Sequence, residues 1–339
     1  MPFCMNLLMK CLSKNKFCCN YYYILKRDSI SSVIKNFCKM SSDNHNVYDN
    51  NDDRPKTPLK EDCCGSGCTP CIFDVHETLL KEWESGKTRA KVKPAGNLLS
   101  LLSYKAFVIT DISDASKDCF LMSLEYPEDK IENNVGLHLT PGQYVMLHSG
   151  GKSRPYTPIV WTCRSLVFLI KFYQYGEFSL LLKNASVGRT IDIRGPYGDF
   201  KYENNSFRHI IMFSIGSGIA ALYPVAKAIV DNETELTRIH LVAGFRSIAH
   251  VPLKKELMHL ADYWNFKCTL QLSQLNDETV NLHGFNINAG RLSKALVTDY
   301  IQSNDTETTL ILICGTSEFN QSMKEWSRDM NYTHVYIFE

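Results

Sequence analysis

The feature that most constrains this chain is a change in hydrophobic period near Phe207. Before that point, short runs rich in Val, Ile, Phe and Tyr are separated by turn residues, a pattern typical of strands in an antiparallel sheet or barrel. After it, apolar strands alternate with stretches that have helical spacing, which indicates a parallel sheet covered by helices. The sequence therefore predicts an α+β two-domain fold, with an antiparallel β-barrel followed by an α/β parallel-sheet domain.

The same patterns predict the individual elements. In the barrel we expect strands at residues 104–110, 119–124, 144–147 and 166–172, turns at 111–114, 127–130, 141–142 and 150–151, and closure near 191–193. In the second domain we expect strands at 209–215, 238–243, 267–272, 309–314 and 333–338, and helices at 219–230, 253–265, 291–302 and 320–329.

The N-terminal part has a different composition. Residues 1–40 carry seven lysines and arginines against Asp28 alone, which fits either a mitochondrial targeting segment or a disordered basic leader. Residues 41–60 are rich in Asn and Asp, so we predict that residues 1–60 are a disordered leader and linker. The net charge of +1 gives no reason to expect a nucleic-acid partner, and no apolar run reaches the roughly 18–20 residues of a membrane span.

Cysteines are concentrated near the N-terminus. Nine of the thirteen lie at or before Cys71, whereas a secreted disulfide framework would spread them through the folded body. This placement indicates a reducing, intracellular compartment, either cytoplasmic or mitochondrial. The four thiols of Cys63, Cys64, Cys68 and Cys71 could hold zinc, with His76 as an extra ligand, could cycle as dithiols, or could belong to an exposed structural loop.

The sharpest motif is Arg154-Pro155-Tyr156-Thr157-Pro158. On an extended strand Arg154 and Tyr156 point to the same face, so both can reach one ligand. An arginine fork suits a pyrophosphate, and a tyrosine ring can stack on an isoalloxazine. The Thr157 hydroxyl could hydrogen-bond a flavin near its reactive nitrogen. The alternative is a barrel strand with an incidental Arg and Tyr.

Two glycine-containing turns and one strand end extend the candidate site. Gly176 allows close approach of the backbone, and Ser179 opens a helical turn whose N–H groups suit a diphosphate. Ser179 could also be a simple N-cap, and both roles can hold together. Gly216-Ser217-Gly218 joins an apolar strand to a helix, as in dinucleotide-binding turns. Cys314 and Gly315 end another strand, at the edge where open α/β sheets bind ligands, although a buried core thiol is the commoner role for such a cysteine.

From Leu99 onward these motifs, in this order, resemble the ferredoxin–NADP⁺ reductase superfamily and, within it, the NADH–cytochrome b5 reductases. The stretches that carry the resemblance are PGQY, RPYTP, IKFYQYGEFS, VGRTIDIRGPYG, GSGIA and ICG. Thr316-Ser317-Glu318-Phe319 after Cys-Gly is similar to the divergent cytochrome b5 reductase-like branch. The cysteine segment resembles the small oxidoreductase-like N-terminal module. The division implied is residues 1–60 leader, 61–88 cysteine module, 99–206 FAD-binding barrel and 207–339 NAD(P)-binding domain.

The resemblance implies a role for each matching residue. FAD is expected on Arg154, Pro155, Tyr156 and Thr157, beside Ile170, Lys171 and Tyr173, and its pyrophosphate on Gly176, Glu177, Phe178 and Ser179. The nicotinamide nucleotide is expected on Gly216, Ser217, Gly218, Cys314 and Gly315, with Thr157 and Cys314 beside the reacting atoms.

Three functional hypotheses follow. The first is an FAD-dependent reductase that oxidises NADH and passes single electrons to an acceptor such as cytochrome b5. The second is an NADPH-linked reductase of another acceptor, because Arg246 and Ser247 could receive a 2′-phosphate and Ser273 lies about where cytochrome b5 reductases carry an acidic residue. The third is an inert reductase body that serves as an adaptor through its cysteine module.

Overall fold

The structure, a computed structural model, describes residues 54–86, 96–130, 135–274 and 282–339. The basic segment of residues 1–40, for which a targeting segment and a disordered leader are the two interpretations, lies outside these residues, as do residues 41–53 of the predicted linker. None of the helices in the described ranges is both long and apolar enough to cross a membrane.

The first domain is a seven-stranded antiparallel sheet. Its strands are β1 (Lys105–Ser116), β2 (Cys119–Glu125), β3 (Tyr144–Ser149), β4 (Lys152–Tyr156), β5 (Pro158–Trp161), β6 (Ser165–Lys171) and β7 (Thr190–Tyr197). They are arranged in the order β4-β3-β7-β1-β2-β6-β5. Alternate residues of β2 and β6, such as Phe120, Met122 and Phe168, are fully buried, so one face of the sheet forms the barrel core.

Strand β1 is longer than the sequence indicates. We predicted a turn at residues 111–114, and this prediction is wrong, because β1 continues to Ser116 and stays paired with β2. Two register shifts, between Ile109 and Asp111 and between Asp114 and Ser116, carry the strand through this polar stretch. The side chains of this polar stretch are largely exposed, so its aspartates are solvated and do not end the strand.

The second domain is a six-stranded parallel sheet with helices, as predicted. Its strands are β8 (His209–Ile215), β9 (Arg238–Phe245), β10 (Phe266–Leu272), β11 (Phe285–Ala289), β12 (Thr309–Cys314) and β13 (Val335–Phe338), in the order β11-β10-β9-β8-β12-β13. The described helices of the whole chain are α1 (Ile72–Glu84), α2 (Glu177–Lys183), α3 (Ile219–Val230), α4 (Lys254–Ala261), α5 (Lys294–Ile301) and α6 (Ser317–Asp329).

Several details of this domain differ from expectation, among them helix α5, which begins at Lys294 and not at residue 291. Helix α4 starts only after Leu253, whose left-handed φ of 54° cannot belong to a helix, and it ends four residues earlier than predicted. Strand β11 was missed because its Asn286 and Asn288 break the apolar pattern, which an edge strand tolerates. Helix α6 begins three residues earlier, where the Thr316 hydroxyl accepts from the Phe319 N–H and caps it.

The cysteine module is a loop followed by helix α1, and it contacts the barrel. The Arg194 guanidinium of β7 donates a hydrogen bond of 2.7 Å to the Pro70 carbonyl. Arg194 is fully buried, so this contact lies inside the molecule rather than on its surface.

Candidate functional site

A cleft of about 1660 Å³ opens between the barrel and the carboxyl ends of the parallel strands. It brings together residues from β4 and β6 of the barrel with the strand-to-helix turn after β8 and the end of β12. All predicted cofactor-binding residues line it except Ile170. The position matches the rule that open α/β sheets bind ligands at the carboxyl edge of their strands.

Ile170 is the predicted residue that the structure does not bring to the cleft. Strand alternation points its fully buried side chain into the barrel core, whereas its neighbours Leu169 and Lys171 line the cleft.

Strand β4 presents the RPYT motif to the cleft. Arg154 and Tyr156 pair with Leu147 and Val145 of β3, which fixes both side chains on the same face. The Tyr156 ring stacks on Phe178, with centroids 6.2 Å apart and an interplanar angle of 25°. Burial raises the pKa of Tyr156 to about 12, so its phenol stays neutral. The Arg154 guanidinium donates to its neighbouring Ser153 carbonyl at 2.8 Å and retains further donors.

The turn before α2 is held by Ser179. The helix begins at Glu177 with Gly176 as N-cap, so the simple N-cap alternative for Ser179 is wrong. Its hydroxyl instead donates to the Gly176 carbonyl at 2.9 Å and accepts from the Tyr173 N–H at 3.2 Å. A Cβ on Gly176 would lie 2.7 Å from that hydroxyl oxygen, so the turn requires glycine.

An ion pair lies where the barrel meets the second domain. The Lys171 ammonium is 3.0 Å from the Asp118 carboxylate, and both side chains are about one quarter exposed. Burial acts to raise the pKa of Asp118, but the bond and charge of Lys171 outweigh it and lower that pKa. A Cβ on Gly216 would lie 3.4 Å from the same ammonium, so Lys171 adjoins the glycine turn. Sequence reasoning missed Asp118, which no motif marks.

The glycine turn packs directly against the end of β12. A Cβ on Gly218 would lie 2.1 Å from the Cys314 carbonyl oxygen, so only glycine fits. A Cβ on Gly315 would lie 2.4 Å from the Phe319 ring. Burial raises the pKa of Cys314 to about 12, so this cysteine is a protonated thiol and not a nucleophile. These glycines therefore let the turn and the end of β12 meet backbone to backbone at the edge of the cleft.

The opposite end of the second-domain wall is basic and polar. Arg246 lines it as expected, and its guanidinium donates to the Gln274 side chain at 2.8 Å. Arg291 and Ser273 line the same cleft. Arg291 was missed because it follows the unrecognised strand β11 and was assigned to the next helix.

The cysteine loop does not show the predicted zinc arrangement. In the described part of the chain, no three His, Cys, Asp or Glu side chains are grouped so that they could hold a metal ion. Zinc at Cys63, Cys64, Cys68 and Cys71 is therefore unsupported, and the candidate ligand His76 lies 3.3 Å from the Pro55 carbonyl instead.

Family models match three segments of the chain. An oxidoreductase FAD-binding domain matches residues 106–202, and an oxidoreductase NAD-binding domain matches residues 212–325. The N-terminal domain of oxidoreductase-like proteins matches residues 51–92, which contain the four cysteines of the loop. The first two matches correspond to the barrel and to the parallel-sheet domain.

Comparisons with whole proteins and with solved structures agree with these family matches. The NADH-cytochrome b5 reductase-like proteins of Homo sapiens and Mus musculus are each 30% identical over 80% of this chain, covering 89% and 90% of their own lengths. The cytochrome b5 reductase domain of Ulva prolifera nitrate reductase shares the fold, with a TM-score of 0.62 at 21% identity, over 72% of this chain and all of that domain. The chain therefore belongs to the NADH-cytochrome b5 reductase-like family of flavoprotein oxidoreductases.

Proposed function

We propose that this protein is an FAD-dependent reductase that takes a hydride from NADH and passes single electrons to cytochrome b5. The observation that carries the proposal is the shared cleft, which joins the RPYT strand of an FAD-binding domain to the glycine turn and Cys-Gly strand end of an NAD-binding domain. Relatives named NADH-cytochrome b5 reductase-like support the choice of donor and acceptor.

The barrel residues fit FAD. Arg154 offers unpaired guanidinium donors for a pyrophosphate, and the neutral Tyr156 ring offers a flat face for an aromatic ring system. Gly176 and Ser179 both line the cleft, and the hydrogen bond between them fixes the shape of the turn before α2, where phosphate oxygens would bind. When bound, FAD accepts a hydride and releases its electrons one at a time.

The second domain orients the nicotinamide nucleotide. Gly216 and Gly218 keep the turn free of side chains, so that a dinucleotide backbone can approach it. Cys314, neutral and mostly buried, forms a packing surface at the reacting edge. Lys171 and Asp118, both of the barrel, form an ion pair beside the glycine turn of the second domain. Hydride transfer does not require a side chain to transfer a proton. The chain therefore acts by positioning the two ligands and by excluding water.

A direct assay tests the acceptor. Purified protein is mixed with NADH and the soluble haem domain of cytochrome b5, and haem reduction is followed by absorbance. We expect NADH-dependent haem reduction in which Arg154→Ala is impaired. Reduction of ferricyanide without reduction of cytochrome b5 would keep the reductase but reject this acceptor.

NADPH is the second candidate donor. Arg246 donates to the neutral amide of Gln274, and Arg291 and Ser273 line the same wall, so this wall offers cationic and hydroxyl partners for a 2′-phosphate. The ratio of kcat/KM for NADPH and NADH distinguishes the donors. If the wall binds a 2′-phosphate, Arg246→Ala lowers kcat/KM for NADPH and leaves that for NADH unchanged. Equal losses with both donors would reject this role.

We also propose the division into residues 1–60, 61–88, 99–206 and 207–339, and an intracellular location. The family-model matches and the concentration of cysteines in the N-terminal part support these proposals. An inert adaptor is the remaining alternative, and a purified protein without flavin would favour it.

A further inference from the structure

The cysteine loop contacts a buried polar network of the barrel whose residues do not line the cleft. At its centre is Arg194, whose guanidinium reaches the Tyr104 hydroxyl at 3.1 Å, the Pro70 carbonyl at 2.7 Å and the Tyr197 hydroxyl. Among the described residues no carboxylate forms a salt bridge with Arg194. A buried cation held only by neutral groups leaves this region electropositive.

Two thiols of the loop adjoin this network. The Cys64 sulfur lies 2.9 Å from the Ser66 hydroxyl, and the Cys68 sulfur lies 3.8 Å from the Pro70 carbonyl that also binds Arg194. Burial acts to raise the pKa of Cys64, but the hydrogen bonds of Ser66, Cys68 and Ser153 outweigh it and lower that pKa to about 6. Ser153 is fully buried and its hydroxyl also contacts the Tyr104 hydroxyl at 2.9 Å. Cys64 is thus surrounded by hydroxyl donors that stabilise a sulfur anion, with Cys68 beside it.

The backbone allows these two sulfurs to meet. Gly65 and Gly67 have φ values of 61° and 64°, so the three residues between the cysteines reverse the chain. A Cβ built on either glycine meets nothing within 4 Å, so no other part of the chain packs against the loop at these two positions. Both cysteines are partly exposed and neither is in a disulfide, so small reagents can reach them.

We propose that Cys64 and Cys68 form a redox-active dithiol that exchanges with small-molecule disulfides, a second redox centre separate from the flavin cleft. The Cys64 thiolate attacks one sulfur of the small disulfide and releases one thiolate, which leaves a mixed disulfide on Cys64. The Cys68 thiol then loses its proton, and its sulfur attacks Cys64 and releases the second thiolate. The protein loses two electrons and two protons, and the small disulfide becomes two thiols.

Disulfide mapping on the full-length protein tests the proposal. The reduced protein is equilibrated with oxidised and reduced glutathione at a series of ratios, free thiols are blocked with N-ethylmaleimide, and disulfide sulfurs are then reduced and labelled with iodoacetamide. Fragment-ion spectra assign the label to individual cysteines between Lys60 and Lys81. We expect the iodoacetamide label to rise together on Cys64 and Cys68, and to be reversed by dithiothreitol.

Three matched variants separate the roles of the thiols. Cys64→Ser abolishes the disulfide, and Cys68→Ser accumulates a glutathione adduct on Cys64 because no second thiol resolves it. Cys63→Ser, in the same loop, leaves the Cys64–Cys68 disulfide unchanged. Label on another pair, label on none, or stoichiometric zinc that blocks all four thiols would overturn the proposal. The disulfide readout does not depend on NADH oxidation. Failure of this proposal can therefore be distinguished from failure of the proposed reductase activity.

Discussion

At the residue scale, Arg154 is the cationic side chain that the RPYT motif contributes to the cleft. Arg154→Ala removes a charge-assisted contact of about 1.5–3 kcal/mol, so we expect the Kd for FAD to rise roughly tenfold to a hundredfold. Titration of the apoprotein with FAD, followed by flavin fluorescence, measures this change.

The control for that prediction is Arg189→Ala. Arg189 is an exposed residue on the same barrel and does not line the cleft. The Arg189→Ala protein should bind FAD as the wild type does. An Arg154→Ala protein that is folded and keeps wild-type FAD affinity would contradict the role given to Arg154.

Cys314 tests the nicotinamide end of the cleft. Cys314→Ser keeps the side-chain size but puts a stronger hydrogen-bonding group on a buried surface, which displaces the nicotinamide by a small distance. A misplacement of about 1 Å can cost on the order of a hundredfold in rate. We expect slower flavin reduction at saturating NADH, measured by stopped flow, with FAD content unchanged. Equal rates would make Cys314 a core thiol only, and loss of FAD would contradict the division of labour between the domains.

At the element scale, hydrophobic periodicity was sufficient to predict the bounds of an element wherever that element is buried along its whole length. Strand β8 and helix α3 match their predicted bounds because both are almost wholly buried, so apolar residues mark their full length. Periodicity failed where solvent or edge position relaxes the pattern, as in the polar end of β1 and in β11. In those segments main-chain pairing with a neighbouring strand, which is invisible in local sequence, decides the structure.

The residues of the candidate site likewise divide into those that the sequence could predict and those that it could not. Motif residues such as Arg154 and Gly218 could be predicted because their chemistry is local, and Ile170 was placed wrongly because strand alternation turns it into the core. Asp118 and Arg291 could not be predicted, because their place in the cleft depends on contacts between segments far apart in the chain.

His240 in strand β9 makes stability depend on pH. Burial, aided by the charge of Lys267, lowers its pKa from 6.5 to about 4, so the folded state keeps it neutral while the unfolded chain protonates it below pH 6.5. Stability therefore falls as pH drops from about 6.5 towards 4, by about 2 kcal/mol at pH 5 at 1.36 kcal/mol per pH unit.

Urea unfolding at pH 7 and pH 5, followed by circular dichroism, measures this loss. His240→Asn should reduce the difference between the two pH values, and His259→Asn, which changes an exposed histidine, should leave it unchanged. An equal pH dependence in wild type and His240→Asn would contradict the assignment.

At the scale of the whole molecule, the cysteine module is attached to a barrel that has its own core. Deleting residues 1–88 removes the bond from Arg194 to Pro70, which is a charge-assisted contact of about 1.5–3 kcal/mol, but leaves the cleft residues in place. We expect a soluble flavoprotein that is less stable to heat and still oxidises NADH. FAD content, NADH oxidation and thermal unfolding of the truncated protein check this, and loss of FAD would show that the boundary is wrong.

The central claim is that one cleft binds FAD and receives hydride from NADH. The most direct measurement is the absorbance spectrum of the purified full-length protein before and after anaerobic addition of one equivalent of NADH. We expect flavin bands at about one FAD per chain, bleached by NADH within the mixing time of a manual experiment. A protein without flavin, or a bound flavin that NADH leaves oxidised, would contradict it.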